Sequence, residues 1–262
     1  MFLMVFLLLL LLLTLHGIGH LRGDLLQRGP VKLALSVGLL PDSVARTFAC
    51  LATATPVVGL SPWREGTPFL IVGECTLKRI GVPLATLFRL AVLFSAFVAM
   101  VLLMPATAAV VPDPQSLSKA LETSVGTLFG MLAAVPYSWL ASGLVAWLAL
   151  AFLAAMVLAA GLRVRETASA FLLGAGSLAL LEGARWLGLQ FGAFSNGWFL
   201  QRFYEADAGR ALVLLLLVGG AVMAFLALLH LVPMALQKIR PAAQKEAPRA
   251  THSTDKGLLT RH

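Results

Sequence analysis

The sequence predicts an all-α integral membrane protein: a bundle of about five transmembrane helices, with the N-terminus outside and the C-terminus in the cytoplasm. Three observations carry this expectation. Apolar runs of about 20 residues, the length that crosses the hydrocarbon core, recur at 1–18, 82–103, 137–161, 168–191 and 211–236. Charged residues make up only 12% of the chain against 59% hydrophobic residues, where a soluble domain carries about 25% charged. The stretches between the runs alternate between rich in Lys and Arg and nearly free of them, which is how orientation in a bilayer is encoded.

The first run, 1–18, reads as an uncleaved anchor helix. It lacks a basic n-region and a small-residue cleavage site, and Arg22, Arg28 and Lys32 follow it, which places that end inside. Residues 19–80 carry Arg22, Arg28, Lys32, Arg46, Arg64, Lys78 and Arg79 and form a cytoplasmic or interfacial segment. Within it, 31–60 is apolar in pieces but interrupted by Pro41, Asp42 and Arg46. A charged pair deep in a bilayer is costly unless partnered. This stretch is therefore expected as one or two helices at the interface or under the bundle, with a membrane hairpin as the alternative.

Residues 81–236 form the four-helix membrane bundle. The run 82–103 points outward to a segment, 105–136, whose single base is Lys119. Residues 124–135 are too short to span and read as a half-helix or re-entrant piece leading to Tyr137, Ser138 and Trp139 at head-group level. The run 137–161 returns to Arg163 and Arg165, and 168–191 runs outward again. The outer loop 192–209 mixes aromatics with Arg202, Glu205 and Asp207; it is expected as an interfacial helix, with a partner-binding surface as the sharper alternative. The run 211–236 ends inside at Lys238 and Arg240. The remaining tail, 237–262, is polar, Pro-containing and basic, and too poor in apolar residues to bury a core, so disorder is expected. Small residues repeat at four-residue spacing at Ala151, Ala155 and Ala159 and at Ala175, Ala179 and Gly183. Such stripes let helix backbones approach closely in lipid, as does a pair like Gly219–Gly220.

The net charge of +8 and pI near 10.2 follow from topology rather than from nucleic-acid binding. The partners they imply are the lipid bilayer and, at the basic tail, anionic lipids. Cys50 and Cys75 fall in the cytoplasmic segment, where thiols stay reduced, and no CxxC is present. The chain contains no GxxxxGK[ST], HExxH, GxSxG or GxGxxG, so nothing supports an ATP-driven motor or a known hydrolase type. It is not visibly two repeated halves, which argues against a common secondary transporter.

Three groups of residues carry candidate chemistry. His16, His20 and Asp24 in HGIGHLRGD are spaced i, i+4, i+8 and share a face if the first helix continues through them. Two imidazoles and a carboxylate suit Zn or Fe. Against this, Gly17, Gly19 and Gly23 each weaken a helix by about 1 kcal/mol, and the plainer reading is a polar helix end meeting water. His230, near the inner end of the last run, could pair with His16 or His20 around a haem; a lone His on an apolar helix more often bonds a neighbour. Arg89, Glu182 and Arg185 are the charges within the predicted spans and should face protein or water. Glu182 and Arg185, three apart, can pair on one helix, either as an ion pair locking the packing or as a relay in a transporter. Arg89 sits toward the inner end of its helix, where snorkelling to the interface is the expectation.

From these readings the expected role is a non-catalytic accessory or assembly subunit of an envelope complex, with a membrane-protein partner or a homo-oligomer and without metal or haem. The alternatives are a small transporter or channel using Glu182 and Arg185, and a metal- or haem-binding redox protein using His16, His20 and His230. The Ala-, Leu- and Arg-rich composition fits a bacterial inner membrane.

Overall fold

A computed structural model describes residues 2–25, 29–52, 55–61, 69–72, 81–164, 166–174 and 207–239, with single residues at 176, 180 and 183. The order is α1 (Phe2–Leu25), α2 (Gly29–Ala52), a pair of strands β1 (Val57–Ser61) and β2 (Phe69–Val72), then α3 (Gly81–Leu103), α4 (Pro105–Ala108), α5 (Pro114–Thr123), α6 (Val125–Ala141), α7 (Leu144–Ala159) and α8 (Asp207–Ile239). The fold is mostly helical. Among the described residues, four stretches are long and apolar enough to cross a membrane: Phe6–Gly23, Val31–Ala52, Pro83–Leu103 and Asp207–Pro233.

These helices are apolar on both sides. In α1, Leu7, Leu11, Leu15 and Ile18 are buried at three- and four-residue spacing, while Phe6, Leu9, Leu10 and Leu13 are exposed. A helix that is hydrophobic all round suits a surrounding as apolar as the bundle interior. The hydroxyls it tolerates are satisfied locally: Thr14 Oγ1 donates to Leu10 O, and Ser43 Oγ on α2 to Leu39 O.

α8 packs against α1, α3 and α7, and α2 packs against α7 and α3. A Cβ on Gly17 would meet Met223, and one on Gly219 would meet Thr14, so position 14 faces 219 and 17 faces 223: α1 and α8 run parallel. The N-terminus of α8 lies beside α5, which follows the C-terminal end of α3; α3 therefore runs antiparallel to both.

Three features depart from the sequence reading. Of the one or two helices expected over residues 31–60 there is one, followed by strands that the reading did not contain: α2 continues through Pro41 to Ala52, and the two antiparallel strands follow it, with Ser61 opposite Phe69 and Val57 opposite Val72. The missing N–H of Pro41 removes one helix bond, to the carbonyl four residues earlier, and the helix continues; its hydroxyls bond within it, Ser43 Oγ donating to Leu39 O and Thr47 Oγ1 to Ser43 O. The outer face of α2 is itself apolar, with Leu33, Leu40, Phe48 and Leu51 all more than half exposed. With that face, Val31–Ala52 is long and apolar enough to cross a membrane.

The second departure is α6. Instead of a half-helix ending before Pro136, it spans 17 residues through Pro136 and Tyr137. Ser124 closes α5 and opens α6, its Oγ accepting from Thr127 N–H at 3.1 Å. The third follows from it. The run 137–161 is not one straight span: α6 and α7 meet at a bend of 118°, located at Ser142 and Gly143. Gly143 has φ +90° and ψ 176°, a region essentially restricted to glycine, where an L side chain costs roughly 1–3 kcal/mol.

Small residues set the closest helix contacts. A Cβ on Gly38 of α2 would overlap the carbonyl of Ala155, with the Ala159 methyl 3.0 Å away. A Cβ on Gly19 of α1 would overlap the backbone of Leu162, whose N–H donates to Leu15 O at 2.9 Å. Of the glycines that weaken α1 as an isolated helix, Gly19 is where another backbone touches it, Gly17 faces the Met223 side chain, and Gly23 meets nothing within 4 Å.

Two predictions follow from these contacts and caps. Gly38→Ala should lower stability by roughly 1–3 kcal/mol, the range for overpacking a tight contact. Gly130→Ala, where a Cβ meets open space, should be neutral or slightly stabilising; thermal melting in detergent distinguishes them, and equal melting of the two variants refutes the contact. Asp113 caps α5, its Oδ1 accepting from Ser116 N–H at 2.7 Å. Partial burial raises its carboxyl pKa, but the Ser116 hydrogen bonds and the charges of Arg210 and Lys119 outweigh it, and the net shift is downward. A carboxyl with a depressed folded pKa stabilises fully above its unfolded value, near 3.8, and loses that contribution as pH falls through the folded value. Asp113→Ala should therefore cost about 1 kcal/mol at neutral pH, a deficit that shrinks below about pH 4. Asp113→Asn, which caps without titrating, should show no such narrowing.

Candidate functional site

The densest polar chemistry among the described residues surrounds Arg89, in the third turn of α3. Arg89 is 3% exposed. Burial of a guanidinium is tolerable only if its donors find acceptors, and each of its three nitrogens does. Nε donates to Asp42 Oδ1 at 2.6 Å, Nη1 to Glu166 Oε1 at 3.0 Å, and Nη2 to Ala159 O at 3.5 Å. Arg89 does not snorkel to the interface as the sequence reading expected, because acceptors on α2, at the end of α7 and just beyond α7 surround it within the bundle.

Each partner is in turn fixed. Asp42 Oδ2 accepts from Arg46 Nε at 2.9 Å, one turn later on α2. The Asp42 side chain is 5% exposed and bridges two arginines, one oxygen to each. Glu166 Oε2 accepts from the backbone N–H of Arg163 at 2.9 Å, reaching back to satisfy an amide at the start of the following helix in the manner of a capping box. Arg22 of α1 donates through Nη1 to Leu158 O and Ala159 O, both at 2.9 Å. Those carbonyls belong to the last turn of α7, where four carbonyls lack intrahelical partners and carry the negative end of the helix dipole. Two cations from different helices, Arg22 and Arg89, thus cap the end of α7. Beside the network lies a small cleft between α2, α3 and α7, with Pro41, Val92, Leu93 and Met156 in its walls together with Asp42 and Arg89.

The residues singled out by sequence are placed as follows. His16, His20 and Asp24 all fall on α1, which continues to Leu25 despite its glycines. Their ligand face is not assembled: His16 Nδ1 lies 3.1 Å from Thr167 Oγ1, and His20 is exposed. The side chain of Asp24 lies outside the described residues. Thr167 Oγ1 also lies 3.0 Å from Arg163 O. Among the described residues no group of three His, Cys, Asp or Glu is placed to hold a metal. With Gly17 facing Met223, His16 is level with about position 222 of α8, and His230 lies about 12 Å further along the axis; the two do not face one another. Glu182 and Arg185 lie outside the described residues.

Sequence reasoning missed Glu166 and Arg22 as partners of this network. The Asp42–Arg46 spacing of four was visible, and so was the Arg163–Glu166 spacing of three; the joining of both to Arg89, 47 and 77 residues away, was not. One buried donor stands apart: Trp139 Nε1 has no acceptor among the described residues. Comparison with protein-family models, curated proteins and solved structures finds no match to this chain.

Asp42→Ala should strand Arg89 in the bundle and cost about 3–5 kcal/mol, the usual penalty for removing one member of a buried pair. It should appear as a marked fall in melting temperature or folded yield. Asp42→Leu combined with Arg89→Leu should recover much of the loss, because Glu166 and Arg46 are more exposed, at 18% and 32%, and can be hydrated. An Asp42→Ala protein that melts like the wild type would remove the pair from any role in holding α2 to α3.

Proposed function

We propose that this chain is a multi-pass protein of a bacterial-type inner membrane, N-terminus outside and C-terminus in the cytoplasm, acting without catalysis as an accessory or assembly subunit of a membrane complex. The observation that carries this reading is the commitment of the buried charges. Arg89, Asp42, Glu166 and Arg22 each bond other protein groups from different elements. A catalytic or relay site keeps a titratable group facing a cavity that admits substrate; the cleft beside Asp42 and Arg89 has room for little more than a water, and these groups fasten helices together. The parallel course of α1 and α8 puts the start of α1 and the end of α8 at opposite ends of the bundle, as this topology requires, and the basic segments supply its sense. The exposed leucines and phenylalanines of α1 and α2 support a lipid or protein surrounding over water.

Two measurements test this. Reporter fusions after Arg240 should mark the cytoplasm and fusions near Gln115 the outside; a C-terminal reporter active only outside the cytoplasm refutes the orientation. In its source membrane the protein should migrate within a larger assembly that is lost when the chain is deleted, while proteoliposomes holding the protein alone pass no ion or solute. Flux by the protein alone, abolished in a well-folded Glu182→Ala variant, would replace the accessory role with transport.

A further inference from the structure

The ion network is not neutral. Arg22 and Arg89 converge on one carbonyl, Ala159 O, and Arg46 and Arg89 converge on one carboxylate, Asp42. Glu166, bound to Arg89, holds the backbone of Arg163. Among the described side chains, three guanidinium groups, those of Arg22, Arg46 and Arg89, are thereby joined with two carboxylates, and Arg163 enters through its backbone N–H and adds a fourth positive charge nearby. Arg46 and Arg163 both lie within electrostatic reach of Arg22. The two carboxylates are turned inward to Arg89, whose side chain is 2% exposed. The outer arginines keep donors uncommitted. Among the described residues Arg46 engages only Nε and Arg22 only Nη1, and the exposed Arg163 side chain engages none. Arg46 stands on a helix whose outer face presents Val44, Phe48 and Leu51, so the donors sit beside apolar surface.

We infer that Arg22, Arg46 and Arg163 form a binding site for the phosphate of an anionic lipid, with the acyl chains lying on the apolar face of α2. Several guanidinium forks match phosphate oxygens bidentately, and basic pockets between membrane helices recognise anionic head groups. The surplus charge, held in place by the buried Asp42–Arg89–Glu166 core, is a preformed site and needs little ordering on binding. The site is distinct from the basic tail. It rests on the reading of the chain as a membrane protein, but not on its orientation.

The test uses the full chain in detergent, titrated with phosphatidylglycerol, phosphatidylcholine or inorganic phosphate and followed by thermal melting and native mass spectrometry. Phosphatidylglycerol should raise the melting temperature and remain bound, phosphatidylcholine should do neither, and phosphate should not reproduce the shift at the same concentration. The double variant Arg46→Gln with Arg163→Gln should weaken phosphatidylglycerol binding roughly tenfold or more; because it also removes the Arg46–Asp42 bond, its lipid-induced shift is read against its own lipid-free melting temperature, and Arg163→Gln alone, at an exposed side chain, should melt like the wild type without lipid and still bind phosphatidylglycerol more weakly. Neutralising Lys238, Arg240, Lys245 and Arg249 to Gln should leave binding unchanged. Equal effects of the two lipids, an equal effect of phosphate alone, or a loss that follows the tail variant instead of the Arg46/Arg163 variant would each overturn the assignment. None of these outcomes depends on where a C-terminal reporter fusion places the tail, so failure here is distinguishable from failure of the proposed orientation.

Discussion

The bond between Arg89 and Asp42 is the constraint on which the described helices depend. A guanidinium inside an apolar helix brings several kcal/mol of desolvation cost, which one carboxylate does not offset. Arg89 is accommodated because α2 supplies Asp42, the residues after α7 supply Glu166, and the last residue of α7 supplies a carbonyl. Satisfying one side chain therefore fixes the mutual placement of three elements. Asp42 is held just as firmly, since losing either arginine would leave one of its oxygens without a donor in a nearly dry site.

These bonds require the backbones to be close, and the small residues provide that. Gly38 lets α2 approach until a Cβ would overlap Ala155, and Gly19 does the same for α1 against Leu162. In lipid such contacts are favoured by dispersion rather than by exclusion of water, so their strength depends on closeness. Only at this spacing does Arg22 reach across from α1 to the carbonyls of Leu158 and Ala159. The packing and the ion network are one device: the glycines set the separation that the arginines bridge.

Much of the helical architecture was legible because span length, apolar runs and basic loops are local properties. The helices at 81–103 and 207–239 fall where the apolar runs at 82–103 and 211–236 place them. The small-residue stripe through Ala155 and Ala159 also met a partner. What was not legible was long-range or conformational. Pro136 reads as a stop signal, yet the chain breaks later at Gly143, because a left-handed φ is a property of one residue in context and leaves no trace in hydropathy. Pro41 and the charges near it argued against a continuous α2, since the sequence does not reveal that Arg89, 47 residues away, would satisfy Asp42. Arg89 itself was visible as a charge within an apolar run; its partners were not, because Glu166 looks like a loop residue beside the basic Arg163.

The surplus of cations around Asp42 and Glu166 has its own physical reason in the end of α7. Its carbonyls at Leu158 and Ala159 carry the partial negative charge of a helix terminus, equivalent to about half an elementary charge. In an apolar surrounding no water satisfies them. Arg22 and Arg89 do so, and the dipole offsets part of their mutual repulsion. It cannot offset all of it, for half a charge does not balance two. The positive potential left over among the described residues attracts anions. It is met most readily where Arg46 and Arg163 reach the surface, so the charge that closes the helix end also makes that end attractive to anions.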